Sequence, residues 1–545
     1  MNQLFKNCVY LCFCASVSLF LFSCSSKAPV DLIVHNAVVY TVDSTFTVTE
    51  ALAVQDGKII ATGSNDDILS MFSSDSMLDA GGSSVYPGFI DAHCHFLSYG
   101  LSLQRVDLTG TKSFDEVIQR VIEFAKTNPD GWILGRGWDQ NDWEVKKFPN
   151  KDQLDSLFPD RPVFIKRVDG HAGLANKKAL DLAGVVSSAK VSGGEILTTG
   201  ILTDNAMDLV DNVIPQPSAE QMRKALADAQ RNCLAVGLTT VDDAGLMWNE
   251  VDVIQSMQDA GEMKMRVYVM LSDSVTNYDK YLEKGPVRKD RLKVAAFKFY
   301  GDGALGSRGA CLLHPYSDMP GHTGFILRNK EHYDQYAHQL YEKGFQMNTH
   351  CIGDSANRMM LELYGHILGG KNDVRWRIEH CQVINTDDFK KFAEYSIIPS
   401  VQPTHATSDM YWADERLGPD RVKGAYAYQD LIKHFGLVAL GTDFPVEGIN
   451  PMNTFYAAVA RIDLQGEPKG GFQMENALTR EQALKGMTIW AAFSNFEEKE
   501  KGSLENGKFA DFVILDKDIM KASDNELPGV KVKYTFINGE KVFKQ

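Results

Sequence analysis

Eight apolar, largely β-branched runs mark the middle of the chain: VYPGFIDAH, GLTTVDD, MRVYVML, KVAAFKFY, FQMNTH, RWRIEH, IIPSVQP and LVALGTD, with helical stretches between them. Short runs that stay apolar instead of alternating read as strands covered on both faces, the condition of a parallel sheet. Eight such strands interleaved with helices predict an α/β fold, a (β/α)8 TIM barrel. A ninth run, RPVFIKRVDGH, lies in a stretch from about residue 97 to 220 that is far longer than a barrel connection. It is assigned to a subdomain inserted after the first strand, over the barrel mouth.

The two ends have a different texture. DLIVHNAVVYTVD and ALAVQDGKIIATG near the N-terminus, and ENGKFADFVILDKD and VKYTFINGEKVF near the C-terminus, alternate apolar and polar residues around turn signals. They predict one small sheet domain of antiparallel strands closed by both ends of the chain, residues 25–84 and 501–545, flanking a barrel of residues 85–500. A chain of 545 residues accommodates one large α/β domain with such accessory pieces. Its formal charge of −15 argues against nucleic acid as a partner, because phosphate backbones select basic surfaces.

Ahead of the sheet domain, Lys6, the 14-residue run VYLCFCASVSLFLF and the tetrapeptide LFSC follow the order of an export signal, residues 1–24, the run being short for a membrane span. LFSC resembles a bacterial lipobox. Cleavage there would leave Cys24 as a lipid-anchored first residue, with SSKAP as a tether to a bacterial membrane, on the periplasmic side or at the cell surface. The alternative is an ordinary signal peptide or anchor. Cys94, Cys233, Cys311, Cys351 and Cys381 remain for the folded part, an odd and scattered set that predicts buried thiols and no disulfide framework.

Several of the barrel runs end in ligand-type side chains. His93 and His95 close the first, Lys298 lies in the fourth, His350 and His380 end the fifth and sixth, and Asp443 ends the eighth. Carboxyl ends of barrel strands converge on one face. Residues two apart on a strand point to the same side, so the histidines of HCH can grip one ion. Imidazoles with a carboxylate suit zinc or a similar divalent metal. Taken singly, each has a plainer reading: a hydrogen-bonded core histidine, a turn cap before Pro445, a paired lysine. Lys298 in AAFKFY says most, since an unpaired ammonium in a buried strand is costly.

PGFIDAHCHF, KFYGDGALGSRGA, NTHCIGD, RIEHCQ and GTDFPVEGINP together resemble the metal-dependent amidohydrolase superfamily, in the branch that includes N-substituted formamide deformylase. The resemblance extends to GRGWDQNDW, DGHAGLANKKAL and the β-rich ends. It implies a barrel with an accessory β-sandwich that hydrolyses C–N bonds of small amides, imides or cyclic amides. It also implies one or two divalent ions, zinc by expectation. His93 and His95 would bind the buried ion with Asp443 beside it. A carboxylated Lys298 would bridge to a second ion on His350 and His380. An unmodified Lys298 would favour a single ion held by His93, His95, one later histidine and Asp443. Asp443 would act as base and then acid for a metal-activated water, while His171 or the second ion polarises the substrate carbonyl.

Trp138, His171, Arg308, Gln402 and His405 are candidates for lining the substrate pocket; Arg308 could instead pair with Asp302. Asp242 and Asp243 are candidate partners for the ligand histidines. Esterase, lactonase or dipeptidase action by the same site stays open, as does a lipoprotein that only binds a metal or small ligand. So does the choice between monomer and homodimer.

Overall fold

The computed structural model describes residues 27–545, apart from 168–171, 187–190, 192–194 and 204–205. The export signal with Cys24, and His171, therefore lie outside the described residues. Among the described residues no helix is long and apolar enough to cross a membrane.

Eight parallel strands form the centre: β1 (Phe89–Cys94), β2 (Leu238–Leu246), β3 (Arg266–Ser272), β4 (Leu292–Tyr300), β5 (Gln346–Cys351), β6 (Arg377–His380), β7 (Ile398–Val401) and β8 (Ala439–Leu440), paired in that order. The ring closes beyond the short β8, where the Asp443 N–H donates to the His93 carbonyl at 2.8 Å and the His95 N–H to the Phe444 carbonyl at 2.8 Å. The Asp91 carboxylate reinforces this seam by accepting from the Thr442 N–H at 3.0 Å and from its hydroxyl at 2.6 Å. Gly441 makes the approach possible, because a Cβ there would stand 2.6 Å from the His93 nitrogen. The fold is a TIM barrel with additional β structure.

The outer helices follow from patterned sequence. Residues Ala219–Ala235 begin at Ser218, whose side chain accepts from the Gln221 N–H while Gln221 reaches back to the Ser218 N–H. This capping box satisfies two donors that a helix start leaves open. Met222, Ala225, Leu226, Ala229 and Cys233 recur at helical spacing and are the buried stripe that faces the barrel core.

Both chain ends build the sandwich. A four-stranded sheet orders Lys58–Gly63, Ala51–Gln55, Leu32–His35 and Met77–Asp79. A six-stranded sheet orders Glu540–Lys544, Val532–Ile537, Phe512–Leu515, Ser84–Pro87, Val38–Tyr40 and Val48–Thr49. Val34, Leu52, Ile59, Val85, Phe512, Ile514 and Phe536 belong to one buried cluster within it. Three pairings are parallel, contrary to the antiparallel expectation: Ala28–Pro29 with Phe72–Ser73, Leu32–His35 with Met77–Asp79, and Val38–Tyr40 with Ser84–Pro87. A second difference concerns VYPGFIDAH, read above as a single barrel strand. Ser84–Pro87 belongs to the sandwich sheet, and only Phe89–Cys94 enters the barrel. The chain crosses over at Gly88, where a Cβ would meet Thr239 Oγ1 at 2.3 Å.

The insertion carries its own five-stranded sheet of Val106–Asp107, Ile133–Trp138, Val163–Arg167, Ala172–Ala175 and Ile201–Thr203. Within the run RPVFIKRVDGH, the strand Val163–Arg167 thus pairs inside the insertion and not with the barrel. The five cysteines of the described chain are unpaired, four of them buried.

Candidate metal centre

At the carboxyl end of the barrel the predicted residues meet. His93 sits inside β1, fully buried, and His95 follows at its end with 25% of its side chain exposed. Asp443 Oδ1 stands 3.1 Å from His95 Nε2 and 3.7 Å from His93 Nε2, and its Oδ2 stands 3.7 Å from His405 Nε2. The His380 ring lies 4.8 Å from that of His93 and 4.5 Å from that of His350, centroid to centroid. Two groups, His93–His95–Asp443 and His380–His405–Asp443, each bring their ligand atoms within 4.8 Å of one another. Lys298, buried in β4, places Nζ 2.8 Å from His93 Nε2.

Irregular backbone aims these side chains. His380, Cys381 and Asp443 all have positive φ, of 73°, 44° and 61°. Such conformations are uncommon outside glycine and concentrate at functional sites. In a regular strand Glu379 and His380 would face opposite sides; the turn of the chain at His380 lets both serve the barrel interior.

The electrostatics favour neutral imidazoles and an ionised carboxylate. Burial, reinforced by the Lys298 charge, pushes His93 down to about 4 and His350 to about 3. Burial followed by the charges of His350 and His93 takes His380 well below its ordinary value. Burial alone would raise Asp443, but His95, His93, His380 and His405 outweigh it and hold its carboxyl well below the usual range. Burial also draws the Lys298 ammonium down to about 8, against the upward pull of Glu379 and Asp443. Metal ligands must shed their protons before they bind, and burial and neighbouring charge hold His93, His350 and His380 neutral and Asp443 ionised.

His350 Nε2 and His405 Nε2 are buried without a hydrogen-bond partner. Unpaired buried polar atoms are expensive, and His405 Nε2, 3.7 Å from Asp443 Oδ2, is one that a bound ion would satisfy. Borderline-soft nitrogen donors with one carboxylate fit a divalent ion of the zinc type.

Other expectations are corrected. Trp138 does not line the pocket: it is fully buried in the insertion core, donates from Nε1 to the Ile165 carbonyl at 3.0 Å and packs 6.0 Å from Trp143. Arg308 pairs at the surface with Asp318 at 2.7 Å, not with Asp302. Asp302 instead accepts backbone N–H groups from Cys311, Ile352 and Gly353. Gln402 is buried behind His380, with Oε1 2.8 Å from Nδ1, and His405 lies with His380 and Asp443 in a group whose atoms could hold an ion. Asp243 accepts the Phe96 and Leu97 N–H groups just after His95, and Asp242 pairs with Arg377. Neither touches a ligand histidine directly. Besides Gln402 on His380, the partner that does is Glu379, whose Oε2 lies 2.6 Å from His93 Nδ1.

A barrel with imidazoles, an amine and a carboxylate converging at its strand ends belongs to the class of metal-assisted hydrolases. Comparison with known proteins agrees: the amidohydrolase family profile matches residues 76–543, and the chain belongs to that family. It is 32% identical over 538 residues to Protein LONG AFTER FAR-RED 3 of Arabidopsis thaliana, covering 94% of this chain and 91% of that one. It is 30% identical over 529 residues to the putative amidohydrolase YtcJ of Bacillus subtilis (strain 168), covering 94% and 99%. The crystal structure of an uncharacterized metal-dependent hydrolase from Pyrococcus horikoshii superposes with a TM-score of 0.79 at 28% identity, covering 90% of this chain and 99% of that one.

Proposed function

We propose that this hydrolase cleaves an amide-type C–N bond of a small molecule, as an exported protein anchored by lipid on Cys24. The observation that carries the chemistry is the approach of His95 and His93 to one Asp443 oxygen, at 3.1 and 3.7 Å. N-substituted formamide deformylase of Arthrobacter pascens, 26% identical over 542 residues, supports the amide class by its name. His93, His95 and Asp443 would hold one divalent ion, with zinc the expected metal; His380 and His405, with His350 alongside, would serve a second. When bound, such an ion lowers the pKa of a coordinated water towards about 7 and polarises a carbonyl oxygen.

The chain's own groups do the rest. Asp443 is placed to accept a proton from the attacking water at Oδ1, and its low proton affinity lets it release that proton to the leaving nitrogen. His93 and His380 are fixed by Glu379 and Gln402 at Nδ1, so their Nε2 atoms keep one orientation. Lys298 Nζ lies buried 2.8 Å from His93 Nε2, and its ammonium is drawn down to about 8 by burial; the neutral amine so made accessible would add to carbon dioxide and lose one proton to give a carbamate.

The test is a substrate panel with protein lacking residues 1–24. Amides, including N-substituted formamides, should be hydrolysed, and chelation should abolish the activity reversibly. Turnover confined to lactones, esters or dipeptides would refute the amide assignment. Stoichiometric metal with no turnover at all would favour a binding protein.

A further inference from the structure

The ligand histidines are backed by unlike partners. His93 Nδ1 faces the Glu379 carboxylate at 2.6 Å, whereas His380 Nδ1 faces the neutral amide oxygen of Gln402 at 2.8 Å. Glu379 is fully buried and is itself held: Arg377 Nε lies 3.1 Å from Oε1. Arg377 in turn donates from Nη1 to Asp242 at 3.0 Å and to Ser494 Oγ at 3.1 Å, and Asn495 donates to the other Asp242 oxygen at 2.7 Å. A charged chain therefore runs down the barrel interior from the ligand cluster to the helix end at Ser494, where TIM barrels usually stack apolar layers. On the opposite side of the ring, Lys298 Nζ approaches His93 Nε2 at 2.8 Å. An ionised carboxylate can only accept, so Nδ1 carries the proton given to Glu379 and Nε2 keeps its lone pair.

Resting on the reading that the centre binds a metal, we propose that Glu379, clamped by Arg377, is a positioning residue that makes the His93–His95–Asp443 set hold its ion more tightly than the His380–His405–Asp443 set. A carboxylate behind an imidazole fixes the tautomer, limits ring rotation and increases the basicity of the coordinating nitrogen; an amide oxygen does the first two with no full charge.

The experiment follows Co2+ leaving the loaded protein into excess EDTA by its visible absorbance. Glu379→Gln should speed the slowest phase of release by about 10–100-fold, and Gln402→Ala should leave that phase unchanged. A wild-type slow phase in Glu379→Gln, or an equal effect of both variants on it, overturns the proposal. Should Glu379→Gln fail to fold, the 15N spectrum of ion-free wild-type protein decides, with His93 assigned through His93→Gln. A proton on Nδ1 is required, and its presence on Nε2 instead overturns the assignment. Wild-type protein that takes up no Co2+ would refute the proposed function, and the metal-holding role with it, while the spectrum would still read the Glu379 contact separately.

Discussion

Asp443 gathers three imidazoles around one carboxylate, with His95 at 3.1 Å and His93 and His405 at 3.7 Å. Its position follows from a backbone that turns through positive φ immediately after β8 and from the Asp443 N–H bonded to His93. Replacing the carboxylate by an amide keeps the size and removes the proton acceptor. Asp443→Asn should therefore lower turnover by about 10²–10⁴-fold while the protein retains at least one ion, measured as kcat beside metal content. Near-normal turnover would remove Asp443 from proton transfer. Lys298 is legible in the sequence because an ammonium amid AAFKFY has no cheap explanation. The same reasoning applied to RWRIEH would have singled out Arg377 and Glu379, two opposite charges on one side of a buried strand. They escape notice because the histidine that ends the run draws attention first. Trp138 and Arg308 are not legible, since their surroundings come from residues distant in sequence: Ile165 for the indole, Asp318 and Arg416 for the guanidinium.

At the scale of elements, the seam between β1 and β8 carries the site, for His93 lies on one side and Asp443 on the other. Gly441→Ala tests it: the added Cβ would meet His93 backbone atoms at 2.6 and 2.8 Å. Overpacking of this kind costs about 1–3 kcal/mol. The variant should melt at lower temperature and lose ion affinity together; unchanged melting would show that the seam has room. The barrel strands are readable from sequence because parallel strands buried on both faces show as unbroken apolar runs. Their starting points are less so. VYPGFIDAH gives no sign that its first half pairs with Phe512–Leu515, since both halves are apolar and only the close approach to Thr239 at Gly88 separates them.

At the scale of the molecule, the sandwich and barrel are joined by a buried ion pair. Arg266 at the start of β3 donates to Asp511 at 2.6 Å and lies over the Phe509 ring, 3.9 Å from its centroid. Removing one partner leaves a buried charge uncompensated, at about 3–5 kcal/mol. Asp511→Ala should lower stability by that amount in denaturant titration, whereas a loss under about 0.5 kcal/mol, the size of an ordinary surface substitution, would make the contact incidental. Both chain ends meet in this sandwich, so the barrel that collects the ligands is held from outside by segments far from them in sequence. The central claim is that residues of β1, β4, β5, β6 and the segments after β7 and β8 enclose a metal. Anomalous scattering from crystals of zinc-loaded protein tests it most directly. A peak between His93, His95 and Asp443 is the predicted result; well-ordered histidines with no peak among them would contradict the account.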